Sequence, residues 1–264
     1  MIGHKGADAL APGNTLESFR AAVDAGVEMI EIDVLRPRDD FDEAGNWRAA
    51  PPGPAEGSGP LQIAHDWANA ASRGDSTLTL EQALDALSEP PLDRLEFDLD
   101  MKTIGREDEV VDALRERGLI ERAMTSGMEL PTIKALAQIA PELRRGWTIP
   151  RVTRDWTSTP WAKHFVGAGM LALKASMPRT ISRQASALGV KSIWIFHVLA
   201  TKAIVDAAHD SGCELICWTV DDAARMHELA ALGVDGICSN DPRLFAELRE
   251  ANPTGAFRTS NSEA

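Results

Sequence analysis

The residues in this sequence that can move protons or hold cations stand at the ends of, or inside, short apolar runs. His4 closes Met1-Ile2-Gly3, His65 closes Leu61-Gln62-Ile63-Ala64 and precedes Asp66, and Glu31 and Asp33 alternate with Ile30, Ile32 and Val34. In an extended strand successive side chains point to opposite faces, so Glu31 and Asp33 share one face and the three aliphatic residues share the other. Two carboxylates side by side inside a sheet or barrel repel each other and are costly to desolvate, unless they take up protons or a cation lies between them. A hard divalent cation resolves the conflict with oxygen ligands alone. The segment Leu95-Glu96-Phe97-Asp98-Leu99-Asp100-Met101 repeats the pattern and runs into Lys102. Asp100, nearest its carboxyl end, is the expected third ligand, with Asp98 as second choice. A solvated acidic face on an edge strand is the competing explanation, and the recurrence of the pattern on two strands counts against it.

The elements that must position these groups alternate. Strands are expected at 1–4, 29–34, 95–101, 122–126, 145–149, 192–196, 214–220 and 235–239. Helices are expected from Asn14-Thr15 to Gly26, after Thr79 up to Pro90-Pro91, around Val110 to Leu114 and Ile133 to Ile139, and at 201–210, 222–232 and 242–250. Such alternation builds a parallel sheet, and 264 residues suit a single (β/α)₈ TIM barrel of about 250 residues. The barrel is expected over 1–250. Residues 36–60, which hold Pro51-Pro52-Gly53-Pro54 and Gly57-Ser58-Gly59-Pro60, interrupt it as a loop or hairpin, and 251–264 read as a polar, frayed tail. Residues 151–188 give the least clear signal, a mixture of loop and helix.

In such a barrel, catalytic groups collect at the carboxyl ends of the strands, where His4, Asp33, Asp100, Trp218 and Asp241 fall. The formal net charge of −13 speaks against nucleic acid as a partner and against firm adsorption to an anionic membrane. No apolar run reaches the length of a membrane span, and Met1 leads straight into the first strand without a signal peptide, which reads as cytoplasmic. Cys213, Cys217 and Cys238 are expected to be buried and reduced. His164, His209 and His227 are expected at the surface, and His197 either lines the pocket or does not.

The ordered set His4-Lys5-Gly6, Asn14-Thr15-Leu16-Glu17-Ser18-Phe19, Glu31-Ile32-Asp33-Val34, His65-Asp66, Asp100-Met101-Lys102, Cys217-Trp218-Thr219-Val220 and 233–242 resembles the glycerophosphodiester phosphodiesterases, from the first residues to about Pro242. The resemblance implies metal-dependent hydrolysis of a small glycerophosphodiester to an alcohol and glycerol 3-phosphate. On the residues, His4 and His65 are the expected acid and base, because imidazole titrates near neutral pH, and the order between them is open. Lys5 and Lys102 are expected on the phosphoryl charge. Glu31, Asp33 and Asp100 are expected on Mg²⁺ or Ca²⁺, with Mn²⁺ as a third option, and the resemblance adds the glycerol hydroxyls to that cation. Trp218 is either barrel-top packing or a wall against the glycerol. Asp66 orients His65 or caps the following turn. The family more often has Arg at Lys5, Glu at Gly13 and Glu at Asp100, and an Arg-Thr-Thr-Gly segment within 67–76; these departures bear on substrate choice. Two alternatives remain: a phospholipase D-like enzyme on intact or lyso-phospholipids, with Phe41 and Trp47 as membrane-facing residues, and a barrel that binds a phosphorylated ligand without catalysis.

Overall fold

The structure, a computed structural model, describes residues 1–37, 59–151 and 163–251. Its strands are β1 (Ile2–Gly3), β2 (Met29–Leu35), β3 (Gln62–Ile63), β4 (Glu96–Met101), β5 (Ala123–Ser126), β6 (Arg144–Ile149), β7 (Ser192–Phe196), β8 (Glu214–Trp218) and β9 (Gly236–Ser239). All but β3 pair in parallel around a ring that β1 closes by pairing with both β2 and β9. The eight strands expected from the sequence are the eight of the ring. β3 stands outside it, antiparallel to the carboxyl end of β2 through Val34↔Ile63 and Leu35↔Gln62. Of the loop or hairpin expected over 36–60, the described residues show a hairpin base, β2 paired with β3; 38–58, with Phe41 and Trp47, lie outside the described residues.

The helices are α1 (Leu16–Asp24), α2 (Trp67–Arg73), α3 (Leu80–Leu87), α4 (Glu107–Glu116), α5 (Leu130–Ile139), α6 (Lys163–Leu188), α7 (Lys202–Asp210), α8 (Ala223–Leu232) and α9 (Phe245–Ala251). At α3 the start signal acts as a capping box: Thr79 Oγ1 accepts from Gln82 N–H, and Gln82 Oε1 accepts from Thr79 N–H. At α1 the cap is Thr15 alone, because Asn14 is turned to β2. The closing helix begins three residues later than expected, after a 3₁₀ turn at Pro242–Leu244. No described helix is long and apolar enough to cross a membrane.

Alternation along the strands separates two interiors. On β4, Phe97, Leu99 and Met101 are buried in the large apolar layer between strands and helices, whereas Glu96, Asp98 and Asp100 face the barrel axis. Inside the ring, Ile2, Met29, Met124, Trp194, Ile216 and Cys238 form a separate apolar plug with Trp218 packed on it. The acidic positions of β2 and β4 lie in register, Glu31 opposite Asp98 and Asp33 opposite Asp100. The plug therefore serves as the floor beneath a layer of carboxylates. At the other end Arg144 pairs with Glu96 at 2.9 Å.

Candidate active site

The site is built from β1 outward. His4 is tied to β9 by its N–H donating to Ser239 O at 2.8 Å. The chain then bends through Lys5 (φ +51°) and Gly6 (φ +86°). Ser18 of α1 holds the bend: its Oγ donates to Lys5 O and accepts from Ala7 N–H, each at 2.7 Å. A Cβ on Gly6 would stand 2.6 Å from that hydroxyl and 2.7 Å from Ser18 C, so both the left-handed backbone and the close approach require glycine. The bend aims Lys5 N–H at Glu31 Oε2, 2.9 Å away.

Asp33 is gripped from the second residue of the same loop system. Asn14, also left-handed at φ +61°, donates from Nδ2 to Asp33 Oδ2 at 2.7 Å and accepts Asp33 N–H at 3.2 Å. Arg73 of α2 fixes that loop by donating to Gly13 O at 2.8 Å. Lys102, one residue beyond β4, sets its ammonium between the strands, 2.6 Å from Asp33 Oδ1 and 2.5 Å from Asp100 Oδ2. One oxygen from each of Glu31, Asp33 and Asp100 lies within 4.8 Å of the other two.

The electrostatics follow from this burial. Burial, then the Asp33 and Asp100 charges, push the Glu31 carboxyl well above the usual carboxylate range. Burial acts on Asp33 in the same direction, but the Lys102 ammonium and the Asn14 amide outweigh it and hold Asp33 below that range. Burial would strip the Lys102 proton; Asp100, Asp33 and Glu31 together keep it. Removing Lys102 alone would leave its partners uncompensated, a cost of about 3–5 kcal/mol for a buried pair. The three oxygens suit a hard divalent ion: all are carboxylate oxygens, two of the residues are sealed from solvent, and Asp33 Oδ1, beyond its ion pair with Lys102, accepts no hydrogen bond among the described residues.

His4 and His65 face one cleft of about 180 Å³ at the carboxyl end of the barrel, lined also by Glu31, Asp100, Lys102, Ser126, Trp194, Trp218 and Cys238. His4 Nδ1 lies 2.6 Å from Asn240 Oδ1, and its Nε2 is 3.9 Å from Glu31 Oε2. Burial, with the nearby Lys5 charge and against the Asn240 bond, lowers the His4 pKa. His65 Nδ1 lies 3.0 Å from Asp66 Oδ2, while Asp66 Oδ1 accepts Asn69 N–H to cap α2, so Asp66 both contacts His65 and caps the turn. A larger cavity of about 270 Å³ opens at the opposite end and has no histidine in its lining.

The fold therefore brings His4, His65, Glu31, Asp33, Asp100, Lys102 and Trp218 to one place. Lys5 contributes its backbone N–H, whereas its ammonium lies 3.5 Å from Asp8 and outside the cleft lining. Asp98 is fully buried beneath Asp100, where Ser126 donates to it at 2.6 Å and burial, with the Asp100 charge, pushes its carboxyl well up. His197 packs edge-on against Phe196 and beside Arg225, away from the cleft. His209 pairs with Asp235 at 2.8 Å on the barrel's outside, and Asp241 is engaged by Arg243. The three cysteines are free and buried, with burial pushing Cys217 up to about 12. Asn14, Asn240 and Ser126 were not singled out by type or spacing. Asn14 and Asn240 stand within the segments that carry the family resemblance, Asn14 also as a helix start, and Ser126 has only its place at a strand's carboxyl end as a signal.

Comparison with known proteins identifies the family. The chain is 34% identical over 62 residues to glycerophosphodiester phosphodiesterase GDPD4 of Arabidopsis thaliana, a match that spans 24% of this chain and 19% of that protein. It is 23% identical over 261 residues to YhdW of Bacillus subtilis, a protein described provisionally as a glycerophosphodiester phosphodiesterase, covering 92% of this chain and 94% of the other. Among solved structures, a glycerophosphodiester phosphodiesterase from Parabacteroides distasonis superposes with a TM-score of 0.67 at 16% identity, over 96% of this chain and 97% of that one. An Oleispira antarctica phosphodiesterase, solved with the product sn-glycerol-3-phosphate, does so at 0.60 and 17%, over 94% and 96%. The model of the glycerophosphoryl diester phosphodiesterase family matches residues 4–41 and 64–244, both histidines and all three carboxylates included, and the chain belongs to that family of phosphoric diester hydrolases.

Proposed function

We propose that the protein hydrolyses small glycerophosphodiesters to glycerol 3-phosphate and an alcohol in the cleft at the carboxyl end of the barrel. The observation that carries this reading is the convergence of two histidines on one cleft with three carboxylates whose oxygens lie within 4.8 Å of one another. Glu31, Asp33 and Asp100 would hold a divalent cation, Mg²⁺, Ca²⁺ or Mn²⁺. When bound, that cation supplies Lewis-acid neutralisation of phosphoryl charge.

The chain's own residues account for the rest. His4 and His65 form the proton-transferring pair, one for the attacking O–H and one for the leaving alkoxide. Lys102 balances the acidic cluster and borders the phosphoryl position. Trp218, in the cleft lining, offers an indole face to the glycerol side. The β1–α1 bend and Asn14 hold two of the carboxylates rigid, so the cation and phosphoryl group meet a fixed frame. The small cleft favours head groups such as that of glycerophosphocholine over intact lipids. Assay of the cation-supplemented protein on glycerophosphodiesters, lysolipids and bis(p-nitrophenyl) phosphate tests this. Glycerol 3-phosphate released fastest from the first class supports it; turnover of lysolipids alone would replace it with the phospholipase D-like reading.

A further inference from the structure

Behind His4 lies a row of polar groups reaching a residue outside the cleft lining. Asp221, in the loop between β8 and α8, accepts three hydrogen bonds. Asn240 N–H and Ser239 Oγ–H donate to its Oδ1 at 2.8 and 3.0 Å, and Asn240 Nδ2 donates to its Oδ2 at 2.6 Å. The Asn240 amide has only one orientation compatible with this. An ionised carboxylate has no proton to give, so the NH₂ end of Asn240 must face Asp221 and its carbonyl end must face His4. Asn240 Oδ1 can only accept, so His4 Nδ1, 2.6 Å away, must carry the proton. In a neutral ring the lone pair is then on Nε2. That nitrogen points toward the cleft side of Glu31 at 3.9 Å, beyond hydrogen-bond reach, and the facing oxygen of Glu31 already accepts Lys5 N–H.

We propose that Asp221 is a positioning residue which, through Asn240, fixes His4 as the Nδ1–H tautomer and so keeps the Nε2 lone pair on the cleft side. This rests on the reading of His4 and His65 as the proton-transferring pair. His65 meets a carboxylate directly, Asp66 at 3.0 Å, with no amide between them. The step balances as follows. The attacking O–H gives its proton to His4 Nε2 as its oxygen bonds to phosphorus. The phosphorus–oxygen bond to the alcohol breaks, and the departing oxygen takes the proton from His65 Nε2. His4 then holds one proton more and His65 one fewer, and exchange with solvent restores both.

The geometry makes an inversion available as a test. In Asp221→Asn, the new amide keeps its carbonyl on Ser239 Oγ and Asn240 N–H and turns its NH₂ to the Asn240 side chain. The Asn240 amide must then rotate, and its own NH₂ faces His4 Nδ1. The His4 proton moves to Nε2, where it blocks the base. In the double variant Asp221→Asn/Asn240→Asp the polarity is restored, because the amide now donates to a carboxylate that accepts from His4.

The experiment is ¹⁵N NMR of histidine-labelled protein, with the His4 signals assigned by His4→Ala, alongside steady-state kinetics on glycerophosphocholine. The wild type is expected to show protonated Nδ1 and unprotonated Nε2. Asp221→Asn is expected to invert this and to lose about 10²–10⁴ in kcat with KM within a few-fold, and the double variant to regain the original tautomer and most of kcat. An unchanged tautomer in folded Asp221→Asn, or a double variant that folds without recovering either readout, overturns the proposal. Tautomer inversion in a protein that hydrolyses no glycerophosphodiester supports the lock and overturns the functional reading instead.

Discussion

His4 and His65 face the same cleft from two differently built walls. The His4 side chain is 19% exposed, rises from the barrel itself, and is backed by Asn240, Asp221 and the β1–β9 pairing. The His65 side chain is 53% exposed, stands beyond the short strand β3 outside the ring, and has one hydrogen-bond partner among the described residues, Asp66, itself 54% exposed. A base that must meet the nucleophile in one geometry gains from a wall that cannot move. An acid that follows a departing alcohol can sit at the solvent edge. On the proposed mechanism, burial separates two residues of one type into different tasks, as in other paired acid–base sites.

The strongest test of the contrast is deletion of each side chain. His4→Ala and His65→Ala are each expected to lose about 10²–10⁴ in kcat, with the double variant little worse than the worse single, since the two act as a unit. Losses that multiply independently would break the pairing. Added imidazole should restore turnover to His65→Ala and much less to His4→Ala, because only the first leaves an opening that solvent reaches. Equal rescue would show that the walls do not differ.

Next comes the floor between the walls. Asp100→Asn is expected to lower activity by about 10²-fold through weakened cation and phosphoryl stabilisation, with a matching loss of cation affinity by calorimetry. Asp98→Asn should cost much less, since Asp98 is sealed below the cleft against Ser126. The reverse order would move the cation one inward step down β4.

A smaller effect concerns pH. Burial disfavours the His4 imidazolium, so its folded pKa lies below the ordinary value. The acidic limb of kcat/KM should therefore fall below the ordinary imidazole range, and His4 should contribute no loss of stability until pH drops below that ordinary value, where the unfolded chain takes up the proton first. A limb at or above the ordinary value would contradict the burial argument. The least effect is expected for Asp66→Asn. An exposed pair contributes about 0–1 kcal/mol, so a few-fold change in kcat is the expected upper limit, and a loss as large as that of His65→Ala would give Asp66 a positioning role like the one proposed for Asp221.

Much of this was legible in the sequence because barrel strands with a polar inner face leave a two-residue signature: Glu31 with Asp33, and Asp98 with Asp100, each set against aliphatic neighbours. The strands themselves, and the end of the barrel that carries the site, follow from that pattern and from the alternating helices. The partners of these groups were not legible. Asn14 reads as a helix cap, and only the fold shows that its left-handed backbone turns the amide onto Asp33. Asn240 meets His4 across more than 200 residues, with Asp221 behind it, a proximity created by closure of the ring. Lys102 was legible as a cation near the site, but its seat between Asp33 and Asp100 depends on the β2–β4 register.

The most direct test of the account is glycerol 3-phosphate release from glycerophosphocholine by protein stripped of divalent ions and then titrated with Mg²⁺, Ca²⁺ or Mn²⁺, with bound metal measured in the same samples. The account predicts no turnover after stripping, recovery that saturates as one ion binds per chain, and recovery smaller by about 10²-fold or more in Glu31→Gln or Asp100→Asn at the same ion concentration. Full turnover at substoichiometric metal content would contradict it.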